Sequence, residues 1–212
     1  KILAQGGIRR FGVLKVGFNS AWEEVHLSAG AVASPKGEVR TIQDKEINVM
    51  DAGWVGAAPR YPASKTLVAS FPGVEIGSVI DYTLLRTVKG RPFFALQESF
   101  RGIDPIVRKT LRIEAPKGLH LKVLPLHMEG VRQGVEEGRK PEGGHVWAAA
   151  NVKSIRREGA LPPWHAFNPT VFASAGDWKA YAAEVEKALR AAAGKSAAVE
   201  AKAAEIVKDK AD

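Results

Sequence analysis

Through about residue 176 the chain alternates apolar and polar side chains with a period of two, and Gly or Pro cuts the alternation at short intervals. A period of two puts successive side chains on opposite sides of an extended backbone, so this stretch is expected to form strands with one buried face. Phe11, Val13 and Lys15 are expected on one face, with Leu14 and Val16 opposite. Val25, Leu27, Ala29 and Ala31 alternate with His26, Ser28 and Gly30. Ser34, Pro35, Lys36 and Gly37 supply a turn, because Pro pre-sets φ and Gly admits a positive one, with Val32 and Val39 flanking it in a hairpin. From Val107 to Ala115 the pattern is cleaner: Val107, Leu111, Ile113 and Ala115 share one face, and Arg108, Thr110, Arg112 and Glu114 the other. After a Pro116-Lys117-Gly118 turn, Leu119, Leu121 and Val123 resume the apolar face, which reads as one sheet with a buried and a solvated side. Residues 129–144 carry Gly130, Gly134, Gly138, Pro141, Gly143 and Gly144 among mostly charged neighbours and are expected to form a long hairpin loop.

Thr170 to Ser174 reads as a last strand, after which the spacing becomes helical. Asp177 is a good N-cap, and Trp178, Tyr181, Val185, Leu189 and Ala192 recur at intervals of three and four. Gly194 stops that helix, and Ser196 can cap a second, Ala-rich one that ends near Lys208 and offers only Val199, Ile206 and Val207 for burial. The expected fold is therefore mainly β: an antiparallel β-sandwich over residues 1–176 with Greek-key connections, then two C-terminal α-helices in 177–212. These helices read as a linker to a further domain. The chain opens on Lys1 rather than Met, which reads as a piece of a longer protein.

What the chain lacks constrains its chemistry. With no cysteine among 212 residues there is no disulfide framework, thiolate metal site or thiol nucleophile. His26, His120, His127, His145 and His165 show no metal-ligand spacing. Glu23 with Glu24 and Glu136 with Glu137 are adjacent in extended chain and point to opposite sides, so neither pair can flank a substrate as glycosidase carboxylates do. Gly194, Lys195 and Ser196 resemble the end of a phosphate-binding loop, but Leu189 stands where that loop needs its first glycine, and a helix leads in where a strand should. No Gly-x-Ser-x-Gly elbow or Ser-x-x-Lys motif occurs. No cofactor is expected, and no apolar run has the length of a membrane span.

The net charge of +8 comes from 31 Lys and Arg against 23 Asp and Glu. Seven acidic and seven basic residues follow from Asp177 onward, so the excess lies on the first 176 residues. A basic surface of this kind admits an anionic polymer, an acidic glycan or nucleic acid, as partner. Arg9, Arg10 and Phe11, and Arg156 and Arg157 near Trp164, mix cations with aromatics as nucleic-acid modules do. The aromatics mostly alternate as core residues would, however, which disfavours nucleic acid.

The run Phe71 to Leu85, FPGVEIGSVIDYTLL, joins a Pro72-Gly73 turn and a Gly77-Ser78 turn to an alternating strand. It resembles the hallmark of a bacterial domain of unknown function that precedes transglutaminase-like domains. The stretch Thr110 to Gly118, the strand His145-Val146-Trp147 running to Asn151-Val152, Leu161-Pro162-Pro163 and the strand before Trp178 are similar to that family too. Where the family carries an acidic Glu-Pro before its Pro-Pro, this chain has Glu158-Gly159-Ala160-Leu161. The resemblance implies a β-sandwich that is itself non-catalytic, ahead of an enzyme domain with a Cys-His-Asp triad, in the periplasm or cell envelope. The implied partners are the downstream transglutaminase-like domain of the same chain and, beyond it, a cell-envelope polymer or protein. Trp164, His165, Phe167, Trp178 and Tyr181 are the interaction candidates, with packing of the tail on the sandwich as the alternative role for Trp178.

Overall fold

The alternation becomes twelve strands among the described residues of a computed structural model, namely 1–58, 63–90, 94–133, 144–156, 158–194 and 196–208. The chain is mainly β: among the described residues 42% are strand and 23% helix, with three α-helices. Every strand pairing is antiparallel. Two compact units divide it, Lys1–Arg91 and Pro92–Asp212.

The first unit opens with α1 (Gln5–Phe11), followed by β1 (Val13–Asn19), β2 (Glu23–Ala33), β3 (Val39–Thr41), β4 (Ile47–Asp51), β5 (Ser64–Ser70) and β6 (Val79–Val88). Its strands form two three-stranded sheets, in the orders β1-β5-β4 and β3-β2-β6. Phe11, expected in a strand, ends a helix instead. Gly6 and Gly7 weaken the helical signal there, while Arg9 and Arg10 suit a helix C-terminus, where carbonyl ends favour cations. In β1 the expected alternation holds, with Leu14, Val16 and Phe18 turned to the core and Val13 and Lys15 exposed.

The second expectation fails halfway along β2. Val25 and Leu27 face inward, but a β-bulge between Leu27 and Ala29 shifts the register by one, so Gly30 and Val32 are buried rather than Ala29 and Ala31. An extra residue in one strand reverses every side chain beyond it. Gly30 fits its new place because a Cβ there would lie 2.7 Å from Cγ2 of Ile42. Leu27 of one sheet and Leu67 and Ala69 of the other make one core cluster, joined by Leu14, Val16, Ile42 and Leu84. The turn at residues 34–37 forms as expected, closed by Ser34 N donating to the Glu38 carbonyl at 2.8 Å, and pairs Ala33 with Val39.

The second unit holds β7 (Ala95–Ser99), β8 (Ile106–Ile113), β9 (Leu121–Leu126), β10 (Val131–Gln133), β11 (His145–Val152) and β12 (Thr170–Ala175). Their sheet orders are β10-β11-β8 and β7-β12-β9. The runs read as one sheet, β8 and β9, are therefore in different sheets. The Pro116-Gly118 turn sends the chain from one to the other, and each finds its partner far along the sequence, β11 for β8 and β12 for β9. Both sheets supply the core: Ile113, Trp147 and Ala149 from one, Val171 and Ala173 from the other, with Phe100 between strands. Val107, expected in the buried face, is 79% exposed, since the β8–β11 ladder skips its step opposite Asn151, whose φ is +52°. Lys109 has the same inward register as Leu111. Its ammonium is satisfied there by the Glu98 carboxylate and by the Ser99 carbonyl at 2.7 Å. Pro125 is accommodated because β9 is an edge strand. β10 and β11 pair as a hairpin: of the loop expected over 129–144, Val131–Gln133 is strand instead, and 134–143, with Glu136 and Glu137, lie outside the described residues, as do Arg157 and Lys195.

After β12 come α2 (Trp178–Ala192) and α3 (Ala197–Lys208), the two expected helices. Asp177 caps α2, its Oδ1 accepting from Ala180 N at 2.8 Å. No residue of either helix is buried.

Candidate functional site

The five interaction candidates fall into ring pairs. Trp164 and Ala166 bracket a short 3-10 turn, which lays Trp164 over Phe167 with centroids 5.7 Å apart and planes at 28°. His165, on the same turn, meets Phe172 of β12 edge-on at 5.8 Å. On the first turn of α2, Trp178 and Tyr181 sit three residues apart and so share a helix face, in a T-shaped pair at 5.7 Å. The environments differ: Trp164 is 40% exposed and Trp178 84%, while Phe167 and Tyr181 are half-buried. Leu189 on α2 and Val199, Ile206 and Val207 on α3 are exposed as well.

The strongest sequence motif, Phe71 to Leu85, is architectural. Ser78 is fully buried and its Oγ accepts from Glu75 N at 3.1 Å. Gly77 N donates to the Ile2 carbonyl at 2.8 Å, and Ile2 N to the Ser78 carbonyl at 2.7 Å, so the turn clamps the N-terminal segment. Gly77 has φ of +96°, and a Cβ there would approach Cγ of Pro35 to 3.0 Å, which explains glycine at that point. Phe71 and Tyr82 form a tilted ring pair with centroids 5.8 Å apart inside the same unit.

A cavity of about 380 Å³ lies in the second unit, walled by Val131 and Phe167 and lined by Arg101, Glu129 and Lys153 among others, with buried Phe100 behind it. Sequence reasoning missed it, apart from Phe167, because its residues come from four separate stretches of chain, at 100–101, 129–131, 149–153 and 167–169. The segment carrying Arg101 is held firmly. Phe100 N donates to the Pro169 carbonyl at 2.7 Å, Nδ2 of buried Asn168 donates to the Arg101 carbonyl at 2.9 Å, and Arg101 Nε donates to the Lys153 carbonyl at 3.1 Å. Among the described residues none of Arg101, Glu129 and Lys153 forms an ion pair. Oδ1 of Asn168 and Nε1 of Trp147 are buried without a hydrogen-bond partner. No group of three His, Asp or Glu side chains among the described residues could hold a metal, and no described helix is long and apolar enough to cross a membrane.

A mainly antiparallel β chain with two uncovered C-terminal helices and no thiol is the class of molecule these features define. By sequence it belongs to DUF3857, a family described as a domain of unknown function with a solved structure, which matches residues 1–156. All five interaction candidates lie beyond the matched residues. The fold is similar to a crystal structure described as a "putative protease" from Parabacteroides distasonis ATCC 8503, with a TM-score of 0.74 and 21% identity. The likeness covers 99% of this chain but 41% of that one, so this chain spans less than half the length of its structural relative. No curated protein matches the chain.

Proposed function

We propose that this chain is a non-catalytic accessory domain, for interaction or substrate presentation, of a bacterial transglutaminase-like cysteine enzyme in the periplasm or cell envelope. The observation that carries the reading is the set of exposed apolar side chains on α2 (Trp178, Leu189) and α3 (Val199, Ile206, Val207), helices without one buried residue. An isolated helix of this length is marginal in water and ordinarily depends on packing of its apolar face. The longer structural relative supports the reading, since a fold like this one occupies 41% of a chain described as a "putative protease". The Cys-His-Asp triad of the enzyme would lie in the downstream domain, because this chain supplies no thiol. Sequencing the gene past codon 212 tests this directly. A cysteine at a helix start, followed by His and Asp, is expected, and an open reading frame that closes at residue 212 would end the proposal. Hydrogen exchange gives a second test: amides of α2 and α3 should be protected in the full-length protein relative to the 212-residue chain.

A second reading, binding of an anionic polymer, has its own support in the β10-β11-β8 sheet. Leu111, Trp147 and Val131 face the core there, so Arg108, Thr110, Arg112 and Arg132 take the opposite side. Arg112 is partly neutralised by Glu114 at 3.4 Å, whereas Arg108 and Arg132 are exposed. Retention on heparin that falls steeply with salt and drops in an Arg108→Ala, Arg132→Ala double variant is the expected result. Retention no stronger than a neutral control's removes this reading.

A further inference from the structure

We propose that the cavity walled by Val131 and Phe167 is a binding site for the carboxylate end of a short peptide, received by Arg101 and Lys153. Arg101 is prepared for that task. Asn168 fixes its backbone and the Lys153 carbonyl takes its Nε–H, while no carboxylate among the described residues occupies its terminal nitrogens. A guanidinium held at Nε keeps its two Nη groups in a planar fork, the geometry that pairs with a carboxylate in two parallel hydrogen bonds. The Lys153 ammonium, unpaired on the same cavity, adds a second cation to the net field.

The rest of the lining narrows the ligand. At about 380 Å³ the space is at the small end of ligand sites, enough for two or three residues and too small to enclose a polymer. Val131 and Phe167, both half-buried, provide an apolar wall for a side chain next to the carboxylate. Glu129 is an unpaired carboxylate in the same lining, which repels a polyanion but accepts from peptide N–H or ammonium groups. Two cations, one anion and an apolar wall match a peptide end better than they match phosphate or sulfate. This inference does not depend on the accessory reading, because the cavity lies among the strands and the docking face on α2 and α3.

The test uses the 212-residue chain labelled with nitrogen-15 and titrated with the tripeptide Ala-Ala-Leu as free acid and as C-terminal amide. Saturable shifts are expected at amides of Gly130–Arg132 and Ala149–Lys153 with the free acid. Loss of the charge-assisted pair should make the amide bind about tenfold more weakly, and Arg101→Gln or Lys153→Gln should weaken the free acid by a similar factor. Lys153 contributes its backbone carbonyl to the fold, so Lys153→Gln keeps the test alive if Arg101→Gln does not fold. No saturation, shifts confined to other residues, equal affinity for acid and amide, or unchanged affinity in the folded variants overturns the proposal. Ala-Ala-D-Ala run beside Ala-Ala-Ala tells a cell-wall peptide from a protein terminus, and saturable, carboxylate-dependent binding of either satisfies the proposal.

Discussion

Trp147 and Trp178 belong to one unit and meet opposite environments. Trp147, on the central strand β11, is 0% exposed among Phe100, Ile113 and Val171, with strands hydrogen-bonded on both sides. Trp178, on the first turn of α2, is 84% exposed and has Tyr181 as its ring neighbour. The two side chains have the same apolar area to hide, yet only the sheets hide it. A strand pattern is completed by its neighbours in the sheet, whereas an amphipathic helix needs a second surface to lie on. The second unit thus contains a finished core and an unfinished face.

The largest expected effect tests that contrast at both ends. Trp147→Ala should cost about 3–5 kcal/mol in denaturant unfolding, as truncation of a fully buried aromatic does. Trp178→Ala in the 212-residue chain should stay within about 0.5 kcal/mol of the parent. If the two variants lost stability alike, α2 would be packed in solution and the docking face would disappear. In the full-length protein the accessory reading expects Trp178→Ala to become destabilising, read as a lower midpoint for the 212-residue portion.

Next comes a polar part of the same core. Thr170 is fully buried, its Oγ1 donating to the Asn168 carbonyl at 2.8 Å and lying 3.0 Å from Ser99 Oγ. Thr170→Val preserves shape but leaves that carbonyl unpaired, which should cost about 1–3 kcal/mol. Because Asn168 also holds the Arg101 backbone, this variant should weaken peptide binding at the cavity as well. An unchanged midpoint would show that the core tolerates a missing partner at this point, as it already does at Nε1 of Trp147.

How far these regions were legible depended on the distance over which each signal acts. Strands β1, β8 and β12 and the Asp177 cap depend on residues two to four apart, and alternation and capping rules find them, whereas β11 was marked only by the family resemblance. The bulge at Ser28 left no local mark, since Ala29 and Ala31 are as apolar as their neighbours and the register is decided by β6 across the sheet. Pairing of β8 with β11 rather than β9 was hidden for the same reason: it is a long-range choice that a turn at Gly118 does not reveal. α1 was lost to two glycines in seven residues. The cavity was least legible of all. Arg101, Glu129 and Lys153 have nothing in common along the sequence, and only Asn168, a buried amide before Pro169, is a residue whose placement could have drawn attention.

The helical face allows two smaller measurements that separate its own stability from that of the sheets. Asp177→Ala removes the bond from Ala180 N and should cost α2 about 1 kcal/mol, seen as lost helical ellipticity while the sheet unfolding midpoint stays in place. Arg190, paired with Glu186 one turn earlier at 2.7 Å and solvated on both sides, is the weakest lever. Arg190→Ala should change helix content by an amount worth about 0.3–0.5 kcal/mol, and less at high salt. If either substitution instead shifted the midpoint of the β core, helix and sheets would unfold as one body. The uncovered face would then be part of the unit's own packing, and the reading of α2 as a surface awaiting a partner would fail at its smallest and cheapest test.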